Sequence, residues 1–317
     1  MLTTRRYLLS IVFILLLISS IFSQIGSSGF IERRTIKIAF IWQKWDTLDF
    51  IAPINMKIYK HILKEAEKRY HVKFKIYEFW DNWRSGDIQN GKLRKLGIDV
   101  VVGPGGIGGW NSPREYRLEI KKFVREGGGF YGICGDSTFG SLGVIHLPLG
   151  YKIPLKRIIG SWSFTPMLGL ANVYTDASVF RHLVKHPLFF GKLDFLRIVK
   201  KLPLSRAAIR IKRSLLRIQE PYEGDRVRVM LGNAPLVDGP WLFRLFMPRV
   251  FDVAVFVGSD KPYDKSIRGK KAIVASTYGF GRVVLSVVHP ELTIGNKKAH
   301  DIFVRNILWL AKALPTV

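Results

Sequence analysis

The chain of 317 residues contains one cysteine, Cys134, so no intramolecular disulfide can brace the fold. Acidic residues are scarce. Asp and Glu number 24 against 50 Lys and Arg, leaving a formal net charge of +26. That balance favours an anionic partner, lipid headgroups or nucleic acid, without naming either. Long apolar runs are missing after the first thirty residues, so no later segment is expected to span a membrane. Internal repeats and low-complexity tracts are absent as well. The loop "GPGGIGGW" lacks the Lys-Ser/Thr of a phosphate loop and has no ribose-binding acid at the right distance, so no nucleotide cofactor is expected. His182 and His186 stand four residues apart on a predicted helix, but no third ligand accompanies them, so no metal is expected.

What is present begins with a cationic start, Thr3-Thr4-Arg5-Arg6, followed by Tyr7 to Phe22, apolar apart from three serines. Gln24 to Gly29 is small and polar. Residues 1–30 therefore have the layout of a signal peptide or an N-terminal membrane anchor, and "TRRYLL" loosely matches a twin-arginine export signal. Either reading places the protein outside the cytoplasm, secreted or anchored facing outward.

Hydrophobic residues make up 48% of the chain, enough for a sizeable core. Residues 34–317 are expected to form one α/β domain. "RTIKIAFIW" reads as an opening strand, Pro53 to Tyr70 as a helix, and "VKFKIYEF" as a second strand. Ile98 to Val102 is a buried strand before a glycine loop, Arg114 to Glu126 a helix, and "GGFYGI" a strand ending at Cys134. "DVAVFVGS" and "KAIVASTYGFGRVVLSVV" supply later strands, and His300 to Leu314 a closing helix. This alternation predicts a mostly parallel sheet with helices on both faces, of flavodoxin-like type. Residues 151–224 are less regular and are expected to be an insertion. Within it, Lys192 to Gln219 carries nine Lys or Arg and one Asp among Phe195, Leu196, Ile209, Ile211, Leu215 and Leu216. The interleaving predicts basic helices broken at Pro203 that lie on an anionic membrane surface. Nucleic acid is not expected as a partner, because an exported chain does not meet it and one aromatic offers little stacking.

Cys134 sits in "GGGFYGICGDSTFG", where a strand passes through a sharp turn into a short helix. That setting exposes a side chain beside free backbone N–H groups, as a nucleophile needs. A buried inert cysteine is the plainer alternative. "VVLSVVHPEL" ends a strand with His289 and places Glu291 two residues on, so that the carboxylate can orient the imidazole toward a nucleophile. The amides of Gly105 or Gly106, with that of Gly135, are candidate oxyanion donors.

The strand–PGG loop, the G-I-C elbow and the late H-P-E together resemble the class I glutamine amidotransferase-like superfamily. "FVREGGGFYGIC" and "KAIVASTYGFGRVVLSVVHPEL" resemble more closely the domain found at the N-terminus of some biotin–protein ligases, over about residues 35–140 and 225–313. The resemblance implies Cys134 as nucleophile, His289 as base and Glu291 as the residue orienting it. It does not imply biotin ligation, which needs a G-R-G-R-type loop that this chain lacks. The family elbow has Gly two residues after its cysteine, whereas here Asp136 follows Gly135. Two functions are carried forward. One is a cysteine hydrolase of an amide or related acyl bond in a small molecule or peptide. The other is a membrane-associated binding protein that keeps the fold without the catalysis.

Overall fold

The structure is a computed structural model describing residues 33–44, 52–106, 112–145, 167–176, 200–201, 204–232, 234, 236–239, 248–260 and 267–314. The expected leader at 1–30, His182 and His186, and residues 192–199 lie outside the described residues. Thr35–Val317 forms one compact unit.

Thirteen strands join one sheet among the described residues. They are β1 (Arg34–Gln43), β2 (Val72–Asp81), β3 (Val100–Gly103), β4 (Gly129–Ile133), β5 (Val144–Ile145), β6 (Tyr174–Asp176), β7 (Ser205–Ile211), β8 (Arg226–Leu231), β9 (Leu236–Asp238), β10 (Phe251–Ser259), β11 (Lys271–Tyr278), β12 (Gly281–Ser286) and β13 (Val288–His289). The helices are α1 (Ala52–Arg69), α2 (Lys92–Lys95), α3 (Arg114–Arg125), α4 (Gly135–Gly140) and α5 (Lys297–Leu310). The main path runs β13-β8-β7-β10-β11-β12-β4-β3-β1-β2.

The strands β1, β3, β4 and β12 pair in parallel, with Ile38 opposite Val100, Val101 opposite Phe130, and Ile133 opposite Ser286. Their sequences are continuous Val/Ile/Phe runs because both faces are covered. Successive β4 residues show how. Tyr131 faces α5, its ring 5.7 Å from that of Phe303, while Phe130 faces the other side and packs against Gly140 of α4. On the first face Phe40 stacks on Tyr59 of α1 at 4.7 Å, and Tyr59 reaches Phe303 at 5.8 Å. On the second, Tyr116 of α3 stacks on Phe139 of α4 at 6.1 Å.

The sheet is mixed rather than mostly parallel. β12 turns back on β11 in a hairpin at Tyr278–Gly281, and β11-β10-β7-β8-β13 continue antiparallel throughout. A tight turn joins only antiparallel neighbours, so the "TYGFGR" turn dictates this half.

The basic stretch is not helical where the expectation placed its second helix. Ser205–Ile211 is β7, held on both edges by β8 and β10. Ala207, Ile209 and Ile211 are buried while Arg206 and Arg210 are exposed, a period of two. Ile209 and Ile211 thus belong to the core and are not available to lipid. Sheet pairing outweighs helix propensity here, since two neighbouring strands satisfy the backbone groups of β7. Among the described residues no helix is long and apolar enough to cross a membrane.

Candidate active site

β4 delivers Cys134 to the carboxyl edge of the parallel strands. The chain turns from strand to helix at that residue, which takes φ 53° and ψ −119°. Such a conformation is strained for any residue with a Cβ, so it persists only where its surroundings hold it. They do so from both sides. The Cys134 N–H donates to the Ser286 carbonyl at 2.8 Å, and the Ser137 N–H and hydroxyl both return to the Cys134 carbonyl, at 3.0 and 2.5 Å.

His289 ends β13, and Glu291 follows just beyond. The imidazole Nδ1 and the Glu291 carboxylate are 2.7 Å apart. Glu291 is fully buried and His289 is 6% exposed. With Nδ1 bound to the carboxylate, Nε2 is the nitrogen left for the thiol. Two glycines bring thiol and imidazole together. A Cβ on Gly232 would stand 2.5 Å from His289 Nε2 and 3.4 Å from Cys134 Sγ. A Cβ on Gly105 would stand 2.9 Å from Cys134 Cβ and 3.6 Å from His289 Cε1. Sulfur and imidazole therefore share one small space walled by Gly105 and Gly232. Sγ also donates to the Gly232 carbonyl at 3.4 Å.

The electrostatics follow from this crowding. Burial opposes an imidazolium, but the negative charges of Cys134 and Glu291, and hydrogen bonds to both, outweigh it; His289 is pushed up to about 10. Tyr59 lies beneath. Burial first, then the charges of Glu291 and Cys134, holds its phenol well above the ordinary value. Its hydroxyl and the second oxygen of Glu291 are buried without hydrogen-bond partners among the described residues.

The expected oxyanion donors are placed differently. The Gly105 N–H donates to the Asp136 carboxylate at 3.0 Å and is therefore committed away from the sulfur. Asp136 is only 2% exposed, and a buried carboxylate must collect donors. The Gly106 carbonyl oxygen packs over Gly135, only 1.6 Å from where a Cβ on that residue would stand. Gly105 and Gly106 have φ of +110° and +105°, which glycine alone adopts readily. The Gly135 amide is the first N–H of α4 and has no acceptor within the helix. Two contributors were not foreseen. Asp136 braces the glycine loop, and Gly232 admits the imidazole. The sequence signal for Gly232 is the strict alternation of "RVRVML", which marks β8 and sets the glycine at its end, beside β13. The described residues hold no group of three or more His, Cys, Asp or Glu suited to a metal.

No protein-family model matches the chain, and no curated protein matches it. Solved structures do. The β-galactosidase of Rahnella sp. R3 aligns at 12% identity over 89% of this chain and 32% of its own, so the chain spans about a third of that enzyme (TM-score 0.43). A ThuA-like protein of Bacteroides uniformis aligns at 8% identity over 89% of this chain and 94% of its own, with a TM-score of 0.47. The glutaminase domain of Trypanosoma brucei CTP synthase, with bound acivicin, aligns at 14% identity over 89% of this chain and 96% of its own (TM-score 0.51). The chain has the glutamine amidotransferase-like α/β fold.

Proposed function

We propose that the protein is a cysteine hydrolase acting on an amide or related acyl bond of a small molecule or peptide. The observation that carries this reading is the buried His289–Glu291 pair at 2.7 Å, with the imidazole sharing the space walled by Gly105 and Gly232 with a cysteine held in a strained bend. Glu291 fixes the tautomer in which Nε2 faces the sulfur. Cys134 attacks the carbonyl carbon as a thiolate while His289 holds the proton. His289 then gives that proton to the departing amine, and a water, deprotonated by the same imidazole, releases the acid from the thioester. The Gly135 N–H is the donor best placed for the oxyanion.

A specific observation favours the second reading, a binding protein without catalysis. The Gly105 N–H is spent on Asp136, and the Gly106 carbonyl rather than its amide meets Gly135. On the cationic start and apolar run of residues 1–30, the protein is proposed to be membrane-anchored facing outward or secreted. An anionic membrane surface is its proposed partner, met by Arg206, Arg210, Arg226 and Arg228, which share the exposed side of β7 and β8.

The two readings separate on alkylation by iodoacetamide near pH 6. A catalytic thiolate reacts at a pH where an ordinary thiol, with a pKa of about 8.5, is almost wholly protonated. Fast labelling of Cys134 that vanishes in Cys134→Ser supports the hydrolase; labelling no faster than that of free cysteine removes it.

A further inference from the structure

On the antiparallel side of the sheet, where β7 and β9 end and β10 and β11 begin, lies a cavity of about 550 Å³. It is not lined by Cys134, His289 or Glu291. Small-molecule sites commonly measure about 300–1,000 Å³, so a compound of hexose size or somewhat larger can be accommodated.

Its walls are cationic. Lys212 and Arg213 follow β7, Arg249 precedes β10, and Lys271 opens β11. Asp252 is the one acid among the described lining residues, and it is already paired with Lys271. Among the described residues Arg213 keeps only a long contact, 3.8 Å, with Glu223, and 94% of its side chain is exposed. Arg249 lies over the Phe251 ring at 4.9 Å, which holds the guanidinium in a fixed plane. Neither Arg249 nor Lys212 has an acidic partner among the described residues. In a chain of such high positive charge, cations alone would mean little. Asn172 is the independent observation. It lines the same cavity, is 6% exposed, and its side-chain oxygen finds no donor among the described residues. A buried amide oxygen normally has a partner, and a hydroxyl of a bound molecule can be that donor.

We propose that this cavity binds a phosphate monoester of a polyhydroxylated compound. The phosphate, with up to two negative charges and three acceptor oxygens, sits among Arg249, Lys212 and Arg213. A hydroxyl of the same molecule donates to Asn172. A soluble sugar phosphate and an inositol phosphate headgroup share this chemistry. The proposal is independent of any reaction at Cys134, and neither test decides the other.

The experiment is titration calorimetry on the full chain at fixed ionic strength, with glucose 6-phosphate, glucose and inorganic phosphate as soluble probes. Sedimentation with phosphatidylcholine vesicles, with and without phosphatidylinositol 4-phosphate, forms the second arm. Glucose 6-phosphate or the phosphoinositide vesicle is expected to bind, and glucose is not. The double variant Lys212→Gln/Arg249→Gln weakens that binding about tenfold. Lys57→Gln/Lys68→Gln, which removes the same charge from exposed positions on α1, leaves it unchanged. Asn172→Ala abolishes the preference for glucose 6-phosphate, or for the inositol phosphate, over inorganic phosphate. Which arm responds identifies the source of the phosphate. The proposal is overturned if neither probe binds, if both double variants weaken binding equally, or if Asn172→Ala keeps the preference.

Discussion

The elbow at Cys134 and the antiparallel pair β7–β8 obey opposite rules. At the elbow, side chains matter less than their absence. Gly105, Gly135 and Gly232 let backbone and imidazole approach to distances that a Cβ would block. In β7–β8 the alternation of side chains decides everything, with Ala207, Ile209, Val227 and Val229 inward and Arg206, Arg210, Arg226 and Arg228 outward. The first region is pre-organised and intolerant; the second has a fixed inner face and a free outer one. The predictions that follow set substitutions in one region against those in the other.

The largest effect belongs to His289. If the imidazole holds Cys134 as a thiolate, His289→Gln should slow iodoacetamide labelling at pH 6 on the order of 100-fold, the ratio between a fully ionised thiol and an ordinary one. Arg210→Gln, on the outer face of β7, should leave the rate unchanged. A similar rate in His289→Gln and the wild type would show that the elbow merely stores a cysteine.

The same residue gives a pH dependence. In the unfolded chain an imidazole titrates near its ordinary value of about 6.5, whereas in the fold His289 is pushed up to about 10. A raised folded-state value means that the proton stabilises the fold. This contribution is complete below about pH 6.5 and is lost as the pH rises from there through about 10. Melting temperatures from pH 6 to 10.5 should therefore fall more steeply for the wild type than for His289→Gln. Parallel curves would contradict the assignment.

Gly135→Ala comes next. Its new Cβ would stand 1.6 Å from a backbone carbonyl, which cannot swing aside as the end of a side chain can. Overpacking of this kind costs about 1–3 kcal/mol, and here the loop of Gly105 and Gly106 must also move. Urea unfolding should show that loss together with slower labelling of Cys134. Ala208→Val, half-buried in β7, should stay within about 0.5 kcal/mol.

The contrast also explains what could be read in advance. The parallel strands were legible because both-face burial makes them uniform apolar runs, and the Cys134, His289 and Glu291 positions because each follows such a run. The hole was not, because sequence carries no sign of where an amide points. Gly105 turned to Asp136 because a carboxylate buried 31 positions later needed a donor. From sequence β7 reads as helix because Arg, Ala, Leu and Lys are good helix formers, and "SRAAIRI" is too short for its period of two to outweigh neighbouring sequence rich in them. Its pairing with β8 and β10 is set by residues well downstream.

The smallest expected effect tests the free outer face. Arg210 and Arg226 stand directly opposite each other across β7 and β8, both exposed. Like charges at opposed positions of an antiparallel pair repel, and opposite charges attract, each by about 0.2–1 kcal/mol. Arg226→Glu replaces the first situation with the second and disturbs no buried group. Stability should rise by roughly 0.5 kcal/mol at low salt, and the gain should shrink as salt screens the pair. If the arginines serve an anionic surface, the same substitution should weaken binding to vesicles containing phosphatidylserine, so stability and binding would move in opposite directions. A variant that is more stable yet binds such vesicles as the wild type does would mean that the arginine face is only a solvated one.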